Sequence, residues 1–95
     1  MTTAHSTVTA DNDQVRVTTW TLAPGTAIGR HRHEFDYVVA PVTGGTLTVT
    51  DADGSVHEME QVAGEPYLGT AGTEHDVANR TDTDVVFVEI ELTRS

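Results

Sequence analysis

The chain has 95 residues, with 5 basic against 15 acidic side chains, a formal charge of −10 at pH 7, and no cysteine. That length makes one domain with a thin stability margin, which a metal or a second subunit could widen. The charge argues against nucleic acid or an anionic membrane as partner, and the missing cysteine rules out disulfides and thiolate metal sites.

Threonine and valine are abundant and leucine is scarce, a mix that favours strands and turns. The opening "MTTAHSTVTADND" lacks the basic region and apolar run of a secretory signal. No apolar stretch approaches the roughly 18 residues of a membrane span. A cytoplasmic location is therefore expected. Residues 1–13 read as a flexible or edge-strand arm, with strand character near Thr7–Thr9, ahead of a domain over 14–95.

"QVRVTTWTL" (14–22) alternates Arg16, Thr18, Trp20 and Leu22 against Val15, Val17, Thr19 and Thr21, a strand pattern. Pro24-Gly25 marks a turn. "RHRHEFDYVVA" (30–40) reads as one extended run. Equal parity shares a face, so His31, His33, Phe35 and Tyr37 line one side and Arg30, Arg32, Glu34 and Asp36 the other. "TLTVT" and "SVHEME" flank "DADG" as a hairpin. "GEPYLGTAGTEH" (64–75) is an irregular connection with a very short strand at Tyr67-Leu68, and "HDVANR" (75–80) is the next strand. In "VVFVEIEL" (85–92), Val86, Val88, Ile90 and Leu92 face one way. Val85, Phe87, Glu89 and Glu91 face the other, read as away from any pocket. Short strands between turns, with no helical period, predict an all-β sandwich or barrel.

His31 and His33 project from one strand face about 6.5–7 Å apart at the backbone, so one ion can take both. An H-x-H alone is a weak signal, and two exposed polar residues are the plain alternative. The aromatic residues on the same face argue that it points inward, where imidazoles need partners. His75, opening a later strand, is the candidate third ligand. His5 in the arm is expected to be solvated, and His57 after the hairpin turn is expected to stay out of the metal site.

The order of these residues resembles the two motifs of the cupin family. Gly25 is followed by five residues and His31-Arg32-His33, with Tyr37 three further on and Gly44 after six more. Gly64 leads over five residues to Thr70-Ala71-Gly72, then His75 after two and Asn79 after three. The run "HRHEFDYVVAPVTGG" is also similar to small bacterial cupins labelled β-alanine degradation proteins. The chain departs from the motifs where Thr70 replaces a proline and Tyr37 replaces a glutamate. With the alternative spacing, Val38 would stand at the glutamate position, and it cannot ligate. The resemblance implies a double-stranded β-helix, or jelly-roll barrel, and one divalent transition metal (Fe, Zn, Ni, Mn or Cu) on His31, His33 and His75.

Three neutral imidazoles suit several such metals and leave coordination positions open. The expected activity is Fe(II)-type dioxygenation of a small chelating organic acid or carbonyl compound. A non-enzymatic metal or ligand-binding module, or a metal-dependent isomerase or lyase, are the alternatives. Tyr37 is the candidate catalytic residue, as substrate donor, weak ligand or wall. Trp20, Arg16, Phe35 and Tyr67 are expected to line a substrate pocket, with Trp20 as core and Arg16 at the rim as the plainer reading. Asn79 is expected to hold a turn. The resemblance also implies a homodimer, with Val85 and Phe87 as a surface that a second subunit covers.

Overall fold

Strand alternation runs along nearly the whole chain, and the structure, a computed structural model describing residues 1–94, is built from strands. In chain order these are β1 (Thr2–Thr3), β2 (His5–Asp11), β3 (Val15–Leu22), β4 (Thr26–Ala27), β5 (His31–Arg32) and β6 (Tyr37–Pro41). Then come β7 (Gly45–Asp51), β8 (Val56–Gln61), β9 (Tyr67–Gly69), β10 (Glu74–Ala78) and β11 (Val85–Leu92). Among the described residues no helix is long and apolar enough to cross a membrane. The short β1, β4 and β5 have too few residues to show an alternation.

One sheet runs β1-β4-β10-β7-β8, with β5 also paired to β10; the other runs β2-β3-β11-β6-β9. The chain repeatedly changes sheet, as at β3–β4, β6–β7 and β10–β11. It therefore winds as a double-stranded β-helix, the all-β architecture expected. Leu22, Leu47 and Val85 are fully buried between the sheets, with Val39, Val49, Val77 and Phe87 around them. The 1–13 segment supplies β2, an exposed edge strand paired with β3.

Two readings are corrected. The 30–40 run is not one strand. β5 pairs with β10 in one sheet, while β6 pairs with β11 in the other. The chain must bend through residues 33–36 to pass between them. The bend is tied on both sides. The His33 N–H donates to Thr73 O at 2.8 Å, and the His33 carbonyl accepts from Gly72 N at 2.7 Å. Asp36 Oδ1 accepts from Ala71 N at 2.9 Å, and Asp36 O accepts from Leu92 N at 2.9 Å. Gly72 has φ +91°, a left-handed conformation that favours glycine.

The second correction concerns β11. Val85 and Phe87 face inward, 0% and 4% exposed, and belong to the core of the single chain. They cannot form a surface for a second subunit. The reading failed because Glu89 and Glu91 share their parity, and a strand face with two glutamates looks solvent-facing. In the structure that face runs from the core into a pocket.

Candidate metal centre

Backbone register sets the histidines. His31 on β5 lies directly across from His75 on β10, so the sheet itself holds that pair together. His33 follows at the start of the bend. The Nε2 atoms of His31 and His33 are 3.1 Å apart, and those of His33 and His75 are 3.2 Å apart. The three ligand atoms all lie within 4.8 Å of one another. No carboxylate joins this cluster among the described residues.

These contacts cannot all be hydrogen bonds. His31 Nδ1 sits 2.7 Å from Gly29 O, which only accepts, so the His31 proton is on Nδ1 and its Nε2 is a bare lone pair. Either His33 Nε2 donates to His31, in which case it cannot accept from His75, or it leaves His31 facing another lone pair. A cation at the centre satisfies all three at once. An ion about 2.0–2.1 Å from two imidazole nitrogens sets those nitrogens about 3.0–3.4 Å apart, the spacing His33 keeps to both His31 and His75. The residues present therefore fit a divalent metal.

The surroundings favour neutral ligands. His33 is 6% exposed, and burial, then His31 and His75, hold its pKa down at about 4. Burial, then His31, push His75 down as well. A second layer orients the rings. Gly29 accepts from His31 and donates its N–H to Asp76 Oδ1 at 3.1 Å. Such outer partners fix a ligand's tautomer and orientation.

Tyr37, standing where the family motif has glutamate, is stacked on His33 with ring centroids 3.9 Å apart and an interplanar angle of 20°. The hydroxyl-bearing end of its ring lies over Gly69 of β9, where any Cβ would collide with it. Burial, then the Glu89 charge, raise the Tyr37 pKa, so the phenol keeps its proton at neutral pH.

Two chambers share His31 and His33 in their walls. The inner one, about 60 Å³, is mostly apolar, with Leu47, Val77 and Phe87 in its wall beside Tyr37 and Tyr67. The outer one, about 320 Å³, is lined by Trp20, Ile28, Arg32, Glu89 and Glu91 beside His31 and His33. Tyr67 accepts a hydrogen bond from the Gln61 amide. Trp20 is thus a wall of the outer chamber and Tyr67 of the inner one.

Arg16 and Phe35 line neither chamber. Arg16 pairs with Asp11 at 3.5 Å and Glu91 at 3.6 Å. His57 is exposed and pairs with Asp51 at 3.1 Å, and His5 contacts Thr7, both away from the cluster.

Sequence reasoning missed two groups. Arg32 was assigned to an outward face but lines the outer chamber, because β5 ends there and the chain bends. Glu89 lines both chambers. Burial, then Glu91, push its pKa up to about 7. Among the described residues, no hydrogen bond or ion pair engages its carboxyl. Its parity with Phe87 was the available signal.

The fold and this site define a cupin, and the comparisons with known proteins agree. The cupin domain family model matches residues 18–91, and the chain belongs to that family. It is 50% identical over 89 residues to the β-alanine degradation protein BauB of Pseudomonas aeruginosa, covering 94% of this chain and 93% of that one. A cupin domain from Bordetella pertussis superposes with a TM-score of 0.92 at 43% identity, over 96% of this chain and 94% of that one. A double-stranded β-helix protein from Klebsiella pneumoniae gives a TM-score of 0.79 at 20% identity, over 96% and 77%, a likeness of fold.

Proposed function

We propose that the protein is a metal-dependent cupin enzyme, an Fe(II)-type dioxygenase acting on a small chelating organic acid or carbonyl compound. The observation that carries this reading is the convergence of three imidazole nitrogens whose lone pairs cannot satisfy one another, at the junction of two chambers. His31, His33 and His75 would hold the ion. Bound there by three neutral ligands, divalent iron would offer open positions for substrate and oxygen and an undiminished positive charge.

The chain's own residues supply the rest. The apolar inner wall keeps bulk water away from the reacting groups. Tyr37 holds the His33 ring by stacking, and its protonated hydroxyl serves as a hydrogen donor to substrate or intermediate. The outer chamber has room for a small organic molecule. The name of the Pseudomonas relative, a β-alanine degradation protein, supports a small organic acid as the substrate class.

The test is oxygen consumption by iron-loaded protein given a panel of keto acids, diketones and thiols. Uptake in step with loss of one panel compound supports the dioxygenase. Tight binding without turnover would make the protein a ligand-binding module instead. Conversion without oxygen uptake would make it an isomerase or lyase using the metal as a Lewis acid.

A further inference from the structure

The outer chamber is electrically divided, and the division follows the two sheets. One wall comes from β5 and the start of the bend after it, and carries His31, Arg32 and His33. The opposite wall comes from β3 and β11 and carries Trp20, Glu89 and Glu91. The first wall is cationic through Arg32, and more so once the histidines hold a metal. The second pairs an aromatic ring with two carboxylates. Of those carboxylates, Glu91 already has Arg16 at 3.6 Å. Glu89 has no such partner among the described residues, although it stands where both chambers meet.

A half-buried carboxylate in a chamber wall without a donor is costly, and a ligand that brings one is favoured by removing that cost. The metal cannot take this role as a shared ligand, because Glu89 lies outside the ligand cluster. An ammonium group satisfies Glu89 through charge-assisted hydrogen bonds, and Trp20 in the same chamber supplies an aromatic ring of the kind that attracts cations. A carboxylate at the other end of the same molecule matches the metal and Arg32.

We propose that the pocket selects a small zwitterionic amino acid, with its carboxylate directed to the three-histidine side and Arg32 and its ammonium to Glu89 and Trp20. Glu89 is then the residue that sets specificity. This rests on the metal-site reading and deepens it by naming the substrate class.

The test is calorimetric titration of zinc-loaded protein with glycine, 3-aminopropanoate and 4-aminobutanoate. The controls are propanoate, butanoate and pentanoate, in which a methyl replaces the ammonium. One amino acid of the series should bind at least about tenfold more tightly than its methyl counterpart, the effect of one charge-assisted hydrogen bond. In Glu89→Gln that preference should vanish, while the zinc-to-chain ratio stays that of wild type.

Equal affinity within every pair in the wild-type protein overturns the proposal without any variant being needed. So does a preference that survives in Glu89→Gln, or binding of neither series by protein that holds zinc. If Glu89→Gln does not fold, Trp20→Leu gives the second reading, with the preference expected to fall and an unchanged preference counting against the proposal. Wild-type protein that takes up no zinc contradicts the metal site itself, a separate failure read from the metal ratio alone.

Discussion

Two polar groups, one fully buried and one half-buried, stand at opposite ends of β10, and they are built in opposite ways. Asn79, just past the strand's end, is fully buried with its amide satisfied throughout. Its Nδ2 donates to Leu22 O and Thr83 O, each at 2.7 Å. Its Oδ1 accepts from Thr81 N at 2.9 Å and from the Thr81 hydroxyl at 2.7 Å. His75, near the strand's start, meets two other imidazoles with lone pairs that no arrangement of protons reconciles. The first cluster is closed and fastens the turn into β11. The second is open and could hold a cation. Burial alone therefore does not mark a site; unsatisfied bonding capacity does.

Removing the open cluster should change metal binding most. His75→Ala should lower retained metal by well over tenfold, since it takes away one of three protein ligands. Metal content after desalting measures this, with His57→Ala as the control expected to match wild type. Removing the closed cluster should act on stability instead. Asn79→Ala strands two buried carbonyls and a backbone N–H, at a cost of about 3 kcal/mol or more. Denaturant unfolding reads that loss, and the folded fraction should keep its full metal ratio. An Asn79→Ala protein that lost metal but not stability would erase the contrast.

Glu89 sharpens the comparison, because its half-buried carboxyl stands near the open cluster without a hydrogen-bond or ion-pair partner among the described residues. Its pKa is raised from the ordinary carboxylate value to about 7. A raised carboxyl pKa means that the folded state holds its proton longer than the unfolded state does. Stability is then lost as pH rises from the ordinary value through about 7. Each tenfold difference in proton affinity between the two states is worth roughly 1.4 kcal/mol. In metal-free protein, Glu89→Gln should therefore match wild type near pH 4 and be more stable by about 2–3 kcal/mol at pH 8. The measurement is the difference between the two unfolding curves across that range. A constant difference would mean that Glu89 is solvated.

The smallest effect is expected at Gly69. A methyl group there collides with the Tyr37 ring, and Gly69→Ala should cost about 1–3 kcal/mol as the ring shifts. Thermal unfolding checks this. Tyr37→Leu in the same background should recover part of the loss, because the crowded ring is gone.

Much of the architecture was legible because parity and turns speak locally. The "DADG" hairpin, the β11 strand and the Asn79 turn follow from local pattern, and the histidine trio from the likeness to the two cupin motifs. What stayed hidden depended on contacts between sheets. Nothing in "HRHEFD" shows that β5 and β6 belong to different sheets, because the bend is tied by Gly72, Thr73 and Ala71, distant in sequence. Arg32 joined the chamber through that bend. Glu89 and Glu91 disguised the inward face of β11, since a glutamate serving a pocket looks the same in sequence as one facing water. Arg16 reads as a pocket residue by parity, yet Asp11 and Glu91 hold it in ion pairs.

The central claim is that His31, His33 and His75 share one divalent ion, and the number of metal ions bound per chain tests it most directly. Protein stripped with chelator, reloaded with Fe(II) or Zn(II) and freed of excess should carry one ion per chain, and His33→Ala treated alongside should carry none. A wild-type chain that stays empty after reloading, or a His33→Ala chain that binds as much as wild type, would contradict the account.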